Sequence, residues 1–408
     1  MLLLVGAGMY YLVLERFRSL YGSFATNSND LRIYHSTGEA LLQGELPYRD
    51  FFIEYPPGGL PFLLPPALFT DGMEGFAAFF AAEMALLLVV ALLFVALAAR
   101  ALERAWIFPA LVLACGTVLL YPVAVARFDP VVSLTLAAAV LCAATGRSTL
   151  GHGALALGAA AKLVPALATL PLVLVAMARA GGGLPGKLRV AARGYAVFFA
   201  GLALFFVPAA LLGWERFVES FTYHTDRGLQ LESLAASVLL KLGWVDDVFF
   251  DYGALEVQGR GVELASSLSL PVTAALLSVT ALVALRELRL GRLGRADFPR
   301  FAAAFILAFM LGSNVLSPQY MLWLLPLVPL AGRGVPGLAV SGVFLAACWT
   351  TTQVFPLHYS ELIRGDAGAV ALLLLRNLLL VLLWVLVLAL PANVPGGTRR
   401  EYPGRDPA

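Results

Sequence analysis

The sequence has few charged residues, and this shortage limits what the chain can be. Only 13% of its 408 residues are charged, whereas 60% are hydrophobic and the mean hydropathy is +0.84. A typical soluble domain carries about 25% charged residues. The composition therefore excludes an ordinary soluble protein and indicates an integral membrane protein with many spans.

Cysteines and familiar catalytic motifs are also scarce. Cys115, Cys142 and Cys348 lie inside apolar segments without paired spacing, so we interpret them as small hydrophobic residues. The sequence contains no P-loop, no HExxH motif, no dinucleotide-binding glycine pattern and no Ser-His-Asp order. Nucleotide-driven transport and serine hydrolysis therefore lack support, and we expect neither a metal nor another cofactor.

Apolar stretches long enough to cross a bilayer recur along the chain, since a span needs about 20 such residues. We predict about twelve membrane segments, at 1–20, 76–99, 105–121, 131–146, 150–162, 164–178, 190–212, 267–286, 300–316, 319–331, 335–355 and 367–390. The segments within 150–178 are short, and Pro165 disfavours one continuous helix, so they are predicted to form a buried hairpin.

The placement of charge predicts the orientation of these segments. Alternating them across the bilayer collects basic residues, including the arginine cluster at 286–300, on one side and most acidic residues on the other. Because cytoplasmic loops are enriched in Lys and Arg, both termini are expected in the cytoplasm of a bacterial cell, with the protein in its inner (plasma) membrane. We expect one transmembrane domain over 1–392 and a disordered cytoplasmic tail over 393–408.

The extracytoplasmic side is then expected to carry the active site in two long loops, 21–75 and 213–266. In the second loop, apolar residues recur at helical spacing between 231 and 242, which indicates a helix lying on the membrane surface. In the first loop, Asp30 and Tyr34 are one helical turn apart and project from the same face. Asp30 suits a general base or a helix cap, and the spacing leaves both interpretations open.

The same loop contains Glu54-Tyr55-Pro56-Pro57, a rigid extended turn that can shape a site or act as a hinge into a re-entrant helix at 59–69. Arg127 and Asp129 occupy a second outer link, where Asp129 could instead cap a helix that begins with Pro130. These acidic and basic groups are candidate ligands for a polar substrate.

Two more polar segments lie on the predicted outer side. The run 223–230 contains His224, Asp226 and Arg227, which could bind sugar hydroxyls and a phosphate or form solvated surface. The segment Ser317-Pro318-Gln319-Tyr320 could belong to the site or serve as a connector.

Ionisable residues inside membrane segments are costly and are usually paired or functional. Lys162 lies in the predicted hairpin, and we interpret it as a candidate for binding a lipid phosphate. Arg376 lies in the last segment, where it could pair with Glu83 or have a functional role.

Taken in order, these motifs resemble the pattern of glycosyltransferase family 87, a group of mannosyltransferase-like enzymes in the GT-C superfamily. The residues that carry the resemblance are Asp30, Tyr34, Gly44, Pro47, Tyr48, Glu54 to Pro57, Arg127, Asp129, Pro130, Lys162, Pro165, His224, Asp226, Arg227 and Ser317 to Tyr320. The resemblance implies an all-α polytopic membrane protein with a GT-C-type fold.

It also implies an enzyme that moves a hexose, with mannose the first expectation, from a polyprenyl-phosphate sugar to a lipid-linked or cell-surface glycan. In that superfamily an aspartate of the first outer loop is the general base, a role that maps onto Asp30 and implies inversion at the anomeric carbon. The residues expected to bind substrate are Tyr34, Tyr48, Glu54, Tyr55, Arg127, Asp129, Lys162, His224, Asp226, Arg227, Gln319 and Tyr320. The expected partners are membrane lipids, the donor and the acceptor, and no nucleic acid.

Two other classes stay open at this point. A lipid-linked sugar flippase or transporter would also use intramembrane cations such as Lys162, although related halves are not apparent in the sequence. A glycan polymerase or ligase would depend on His224 to Arg227 more than on the first outer loop.

Overall fold

The computed structural model describes Gly8 and residues 29–225 and 227–391. The predicted first segment, 1–20, apart from Gly8, and the predicted tail at 393–408 lie outside the described residues. The described part of the chain is mostly helical. Its α-helices are α1 (Asn29–Leu42), α2 (Leu64–Phe69), α3 (Gly72–Ala101), α4 (Ile107–Leu119), α5 (Tyr121–Ala126), α6 (Asp129–Ala144), α7 (Ser148–Ala161), α8 (Thr169–Arg179), α9 (Gly183–Leu212), α10 (Trp214–Thr225), α11 (Leu234–Lys241), α12 (Val262–Arg289), α13 (Phe298–Gly312), α14 (Val328–Ala331), α15 (Gly334–Thr352), α16 (Tyr359–Ile363) and α17 (Ala367–Ala389).

Long apolar helices confirm that the chain is a membrane protein. Within the described residues, five helical stretches are long and apolar enough to cross a bilayer: α3, α9, α12, α17 and the stretch Gly334–Leu357. Shorter apolar helices occupy 107–119, 129–144 and 164–179, inside other predicted segments. The total of twelve segments remains a prediction.

Short helical turns interrupt the chain, and all of those described except Arg295–Asp297 contain a proline, which removes a backbone donor. Four of these turns are 3-10 helices, at Pro57–Phe62, Val164–Ala168, Arg295–Asp297 and Pro318–Leu324, and a π-helical turn covers Gln353–Leu357. The predicted hairpin at 150–178 shows the effect clearly. Helix α7 ends at Ala161, Lys162 is extended, and the next turn has Pro165 in its first positions.

A β-hairpin in the second long loop corrects the all-α expectation. Strands β1 (Val245–Asp251) and β2 (Ala254–Gly259) pair antiparallel, with Asp251 opposite Ala254. The two residues between the strands, Tyr252 and Gly253, both have positive φ, which is the geometry of a tight type I′ turn. The helix predicted in this loop is present as α11, which Ser233 caps by accepting a hydrogen bond from the Ala236 amide at 3.1 Å. Its position on the membrane surface stays a prediction.

The buried residues form three hydrophobic clusters. The largest fills the membrane-spanning bundle around α6, which packs against α3 and α7. A second cluster holds the first outer loop together through Tyr34, Tyr48 and Phe128. A third joins α11 and β2 to α17. These clusters bring the two long loops and the ends of several spans to one region of the molecule.

Candidate active site

A cavity of about 800 Å³ opens where the two long loops meet the ends of the spans. Eight of the residues predicted to form the site line it: Asp30, Glu54, Tyr55, Arg127, Lys162, Arg227, Gln319 and Tyr320. They come from six separate segments of the sequence. The fold therefore brings together most of the polar motifs of the sequence.

Asp30 lies in the first turn of α1, and its carboxylate bonds to two other segments. The Nη2 atom of Arg127 lies 2.7 Å from Oδ2 of Asp30, and the hydroxyl of Tyr55 donates to Oδ1 at 3.4 Å. The Asp30 side chain is 30% exposed, and that of Arg127 is 11% exposed. A carboxylate has about four lone-pair sites, so Asp30 keeps acceptor capacity for a further ligand.

Two of the predicted binding residues, Tyr34 and Tyr48, lie behind the cavity wall. Tyr34 is buried, and its ring packs edge-on against Tyr55 and Phe128. Burial, and then the nearby charge of Asp30, raises the pKa of Tyr34 well above its usual value, so this phenol stays neutral. Tyr48 is also buried and donates to the Tyr55 carbonyl at 2.7 Å. Both tyrosines therefore support the Glu54–Pro57 turn from behind.

Glu54 and Arg227 form a second ion pair on the cavity wall. The Nη2 atom of Arg227 lies 3.2 Å from Oε2 of Glu54, and the guanidinium also lies 5.2 Å from the ring centre of Tyr223. Burial raises the pKa of Glu54, although hydrogen bonding to Tyr55 and the charge of Arg227 oppose that rise. The pair joins the first long loop to the second.

Lys162 supplies a third cation, and its partner is Asp129. The ammonium lies 2.8 and 3.0 Å from the two carboxylate oxygens, and the Trp323 indole donates to Oδ1 of Asp129 at 2.7 Å. Asp129 is only 1% exposed and lies behind Lys162. Phe128 occupies the N-cap of α6, and the Asp129 oxygens accept from Lys162 and Trp323, so the interpretation of Asp129 as a helix cap is wrong. The fully buried carboxylate instead holds Lys162 toward the cavity.

Aromatic rings surround the Lys162 ammonium. The ring centres of Phe128, Tyr320 and Trp323 lie 5.3, 5.6 and 5.4 Å from Nζ, and Tyr320 stacks on Trp323 at 4.0 Å. Such faces stabilise a cation that has lost part of its hydration shell. Trp323 was not among the predicted site residues, although its spacing of three residues after Tyr320 places both on one face of the 3-10 turn.

The connector before Tyr320 is fixed by Gln230, a residue in the predicted polar run of the second loop. The Gln230 side chain accepts from the Leu316 amide at 2.7 Å and donates to the Ser317 hydroxyl at 3.3 Å. Gln230 and Ser317 both line the cavity. The segment 317–320 therefore belongs to the site and also connects two helical segments.

Two predicted residues cannot be placed: Asp226 and the side chain of His224 lie outside the described residues. Two residues missing from the prediction, Glu232 and Tyr359, line the cavity. Arg376 pairs with Glu232, at 3.6 Å, so the alternative of a pair with Glu83 is wrong.

Cations and carboxylates alternate around this cavity, an arrangement suited to a ligand that combines hydroxyl groups with an anionic group. Three lining cations, Arg127, Lys162 and Arg227, could each contribute charge-assisted hydrogen bonds to phosphate oxygens. Within residues 29–225 and 227–391, no group of three or more His, Cys, Asp or Glu side chains is arranged to hold a metal ion.

Comparisons with known proteins agree with the sequence motifs. Residues 52–318 match glycosyltransferase family 87. The crystal structure of ArnT from Cupriavidus metallidurans in the apo state resembles this chain with a TM-score of 0.45 and 16% sequence identity, covering 88% of this chain and 72% of that one. No curated protein matches the sequence significantly. Because the matched family region spans more than half of the chain, the protein belongs to glycosyltransferase family 87 and is a membrane glycosyltransferase.

Proposed function

We propose that the protein transfers a hexose, with mannose as the first candidate, from a polyprenyl-phosphate sugar to a lipid-linked or cell-surface glycan. The observation that carries this proposal is the position of the Asp30 carboxylate in the wall of one cavity that also holds Arg127, Lys162 and Arg227. The carboxylate can accept a proton, and the three cations can hold a phosphate. A sugar phosphate donor and a hydroxyl acceptor need both.

In the proposed reaction, an acceptor hydroxyl attacks the anomeric carbon of the donor sugar. Its proton passes to the Asp30 carboxylate as the new carbon–oxygen bond forms. The bond from the anomeric carbon to the phosphate oxygen breaks, and its electron pair leaves with the polyprenyl phosphate. A single displacement inverts the anomeric configuration. Tyr55 and Arg127 orient the carboxylate for this step through their bonds to its two oxygens.

The leaving phosphate gains negative charge during the displacement, and fixed cations stabilise such developing charge. Lys162 suits this role because Asp129 and Trp323 hold it from behind while its ammonium faces the cavity. Arg227 can give the phosphate a second contact, because it also lines the cavity and its pairing with Glu54 holds it there. Arg127 couples the phosphate region to the base because it bonds directly to Asp30.

The lining also suits a lipid donor. Apolar side chains, among them Leu163, Val164, Phe309 and Phe355, share the cavity with the charged groups. Leu163 is 46% exposed next to Lys162. The bilayer would then supply the donor, with its prenyl chain against apolar surface and its phosphate near Lys162. We therefore also propose that the active site lies on the extracytoplasmic face of the bacterial inner membrane, where no nucleotide sugar is needed.

The test is a transfer assay with purified protein in vesicles that contain radiolabelled polyprenyl-phosphate-mannose and a glycolipid extract from the source cells. We expect label to enter the glycolipid fraction, with the inverted configuration at the new linkage by NMR. Transfer from GDP-mannose without transfer from the lipid donor would overturn the proposal. Movement of the lipid donor between leaflets of acceptor-free vesicles, with no transfer when acceptor is added, would instead favour a flippase.

A further inference from the structure

A third carboxyl group, Glu232, lines the cavity along with Asp30 and Glu54 and has no role in the reaction described above. It lies between α10 and α11, in the segment that follows Arg227, and it is only 1% exposed. An isolated buried carboxylate is costly, so its surroundings must compensate for the lost hydration. Glu232 does not share the cation that pairs with Asp30: Asp30 pairs with Arg127, and Glu232 pairs with Arg376.

The compensation comes from the last long helix, α17. Arg376 is fully buried, and its Nη1 atom lies 3.6 Å from Oε2 of Glu232 while its Nη2 atom donates to the Glu232 carbonyl at 2.7 Å. Asn377 donates to the same carbonyl at 3.3 Å and to the Ser233 carbonyl at 3.2 Å. Three of these four contacts are hydrogen bonds to backbone carbonyls, so they fix the backbone around Glu232. Among the four, the carboxyl group itself receives only the 3.6 Å contact with Arg376.

The carboxyl group keeps hydrogen-bonding capacity. Its Oε2 atom is buried and makes no hydrogen bond within the described residues, because its contact with Nη1 of Arg376, at 3.6 Å, is longer than a hydrogen bond. Tyr359, whose hydroxyl is close enough to influence the pKa of Glu232, also lines the cavity. A buried carboxyl oxygen that makes no hydrogen bond, in a residue that lines a cavity, is typical of a position that a ligand completes.

The chemistry of this pair favours neutral hydroxyl groups over phosphate. A carboxylate repels an anion, whereas a carboxyl group and a phenol together offer acceptors and a donor for vicinal sugar hydroxyls. Burial raises the pKa of Glu232 to about 7, so near neutral pH a large fraction of the group is protonated and can itself donate. Of the three cations of the cavity, Arg127 and Lys162 lie in other segments of its wall, whereas Arg227 lies in the same link as Glu232 and pairs with Glu54.

We propose that Glu232 and Tyr359, positioned by Arg376, form a subsite that binds the hydroxyl groups of a hexose, either that of the donor or that of the acceptor glycan. The inference rests on the proposed transferase function, because it assigns the sugar-binding part of the same cavity. It predicts a division of the site, with phosphate held by the cations and sugar hydroxyls held by this pair.

The test compares ligands with and without a sugar. Binding of bare polyprenyl phosphate and of polyprenyl-phosphate-mannose is measured for the wild type, Glu232→Gln and Tyr359→Phe, together with the KM for the glycolipid acceptor extract. If the subsite holds the donor sugar, both variants weaken binding of polyprenyl-phosphate-mannose about tenfold and leave bare polyprenyl phosphate within about twofold. If it holds the acceptor sugar, both variants leave the two binding constants unchanged and raise the acceptor KM about tenfold.

Matched substitutions control for local structure. Glu361→Gln removes a partly exposed carboxylate near Tyr359, and Tyr195→Phe removes a hydroxyl from α9 outside the cavity lining; both should behave as the wild type. Glu232→Gln leaves Arg376 without its charged partner and can prevent folding, so Tyr359→Phe, which keeps that ion pair, decides the outcome in that case.

Two results overturn the inference. Folded variants with unchanged binding and unchanged acceptor KM would show that the pair does not touch sugar. Equal weakening of bare and mannose-bearing polyprenyl phosphate would show that the pair acts on phosphate or only on structure. A wild type that neither binds nor uses polyprenyl-phosphate-mannose would instead refute the proposed function, and the inference would fall with it.

Discussion

The guanidinium of Arg127 lies 2.7 Å from the carboxylate of Asp30, and this ion pair joins the first turn of α1 to the residue that precedes Phe128 and α6. The two residues lie in different outer links of the predicted topology. Their contact orients the proposed base and links it to Arg127, a cavity-lining cation that could bind the phosphate of the proposed donor. The same pattern of one carboxylate with one cation recurs at Glu54 with Arg227 and at Asp129 with Lys162.

A double-mutant cycle on Lys162 and Asp129 should show that Lys162 affects donor binding and protein stability independently. Lys162→Met removes the phosphate contact and leaves a buried carboxylate without its cation, so it should weaken donor binding and lower the free energy of unfolding by up to about 3 kcal/mol. Adding Asp129→Asn should restore most of the stability without restoring binding. Thermal unfolding and polyprenyl-phosphate binding measure the two effects. Recovery of binding in the double variant would contradict a direct phosphate contact.

Arg227 should contribute to donor binding from the second loop. Arg227→Ala removes a cavity-facing cation, so the Kd of the polyprenyl-phosphate sugar should rise about tenfold, as expected for a lost charge-assisted contact. Arg216→Ala is the matched control, since Arg216 lies on α10 outside the cavity lining and donates to the Arg49 carbonyl. If Arg227→Ala abolishes transfer while Asp30→Asn does not, a polymerase or ligase mechanism centred on the second loop becomes the better account.

Gly58 should tolerate no side chain, because the first loop packs there against the end of α7. An added Cβ at Gly58 would lie 2.6 Å from the backbone carbon of Ala160 and 2.7 Å from its oxygen. Gly58→Ala should therefore cost about 1–3 kcal/mol of stability and reduce transfer by displacing the Glu54–Pro57 turn from Lys162. At the neighbouring Gly59 the nearest atom would be 3.5 Å away, so Gly59→Ala should be mild. Equal melting temperatures for the two variants would argue against this close packing.

Stability should depend on pH through Glu232. Burial raises the pKa of its carboxyl group to about 7 in the folded protein, whereas the unfolded chain has the ordinary value near 4.5. The folded state therefore binds the proton more tightly, so this contribution to stability is complete below pH 4.5 and is lost as the pH rises through 7. The melting temperature should fall between about pH 4.5 and 7 and change little from this group above that range.

Glu232→Gln should flatten that fall without abolishing it, because burial also raises the pKa values of Glu54 and Glu256. Glu361→Gln should retain the wild-type slope. Melting curves at matched scan rates measure both effects. An unchanged slope in Glu232→Gln would show that this carboxyl group does not titrate across the range.

Several features could be predicted from the sequence because they depend on local composition. The apolar length of α3 and the break before Pro165 follow from residue types alone. The one-turn spacing of Asp30 and Tyr34 correctly placed them on one helix, α1. It did not show that Tyr34 lies behind the wall, because side-chain burial depends on the aromatic cluster contributed by other segments.

Other features depend on contacts between distant residues, which the sequence pattern does not contain. Glu232 and Arg376 pair only after α11 packs on α17, and Trp323 reaches Asp129 only after the turn Pro318–Leu324 packs on α6. The β-hairpin was missed because its turn uses Tyr252-Gly253 in place of the Asn-Gly or Asp-Gly dipeptides that usually mark such turns.

The most direct test of the account is the Asp30→Asn variant in the vesicle assay, with donor binding measured on the same preparation. The substituted amide would keep the size and most hydrogen bonds of the side chain but could not accept the proton of the acceptor hydroxyl. Asp71→Asn is the control, because Asp71 is exposed in the same long loop and makes no capping bond. We predict that Asp30→Asn lowers kcat about 10²–10⁴-fold, with donor Kd within about threefold of the wild type. Wild-type rates of transfer by a folded Asp30→Asn protein would contradict the central claim that Asp30 is the general base.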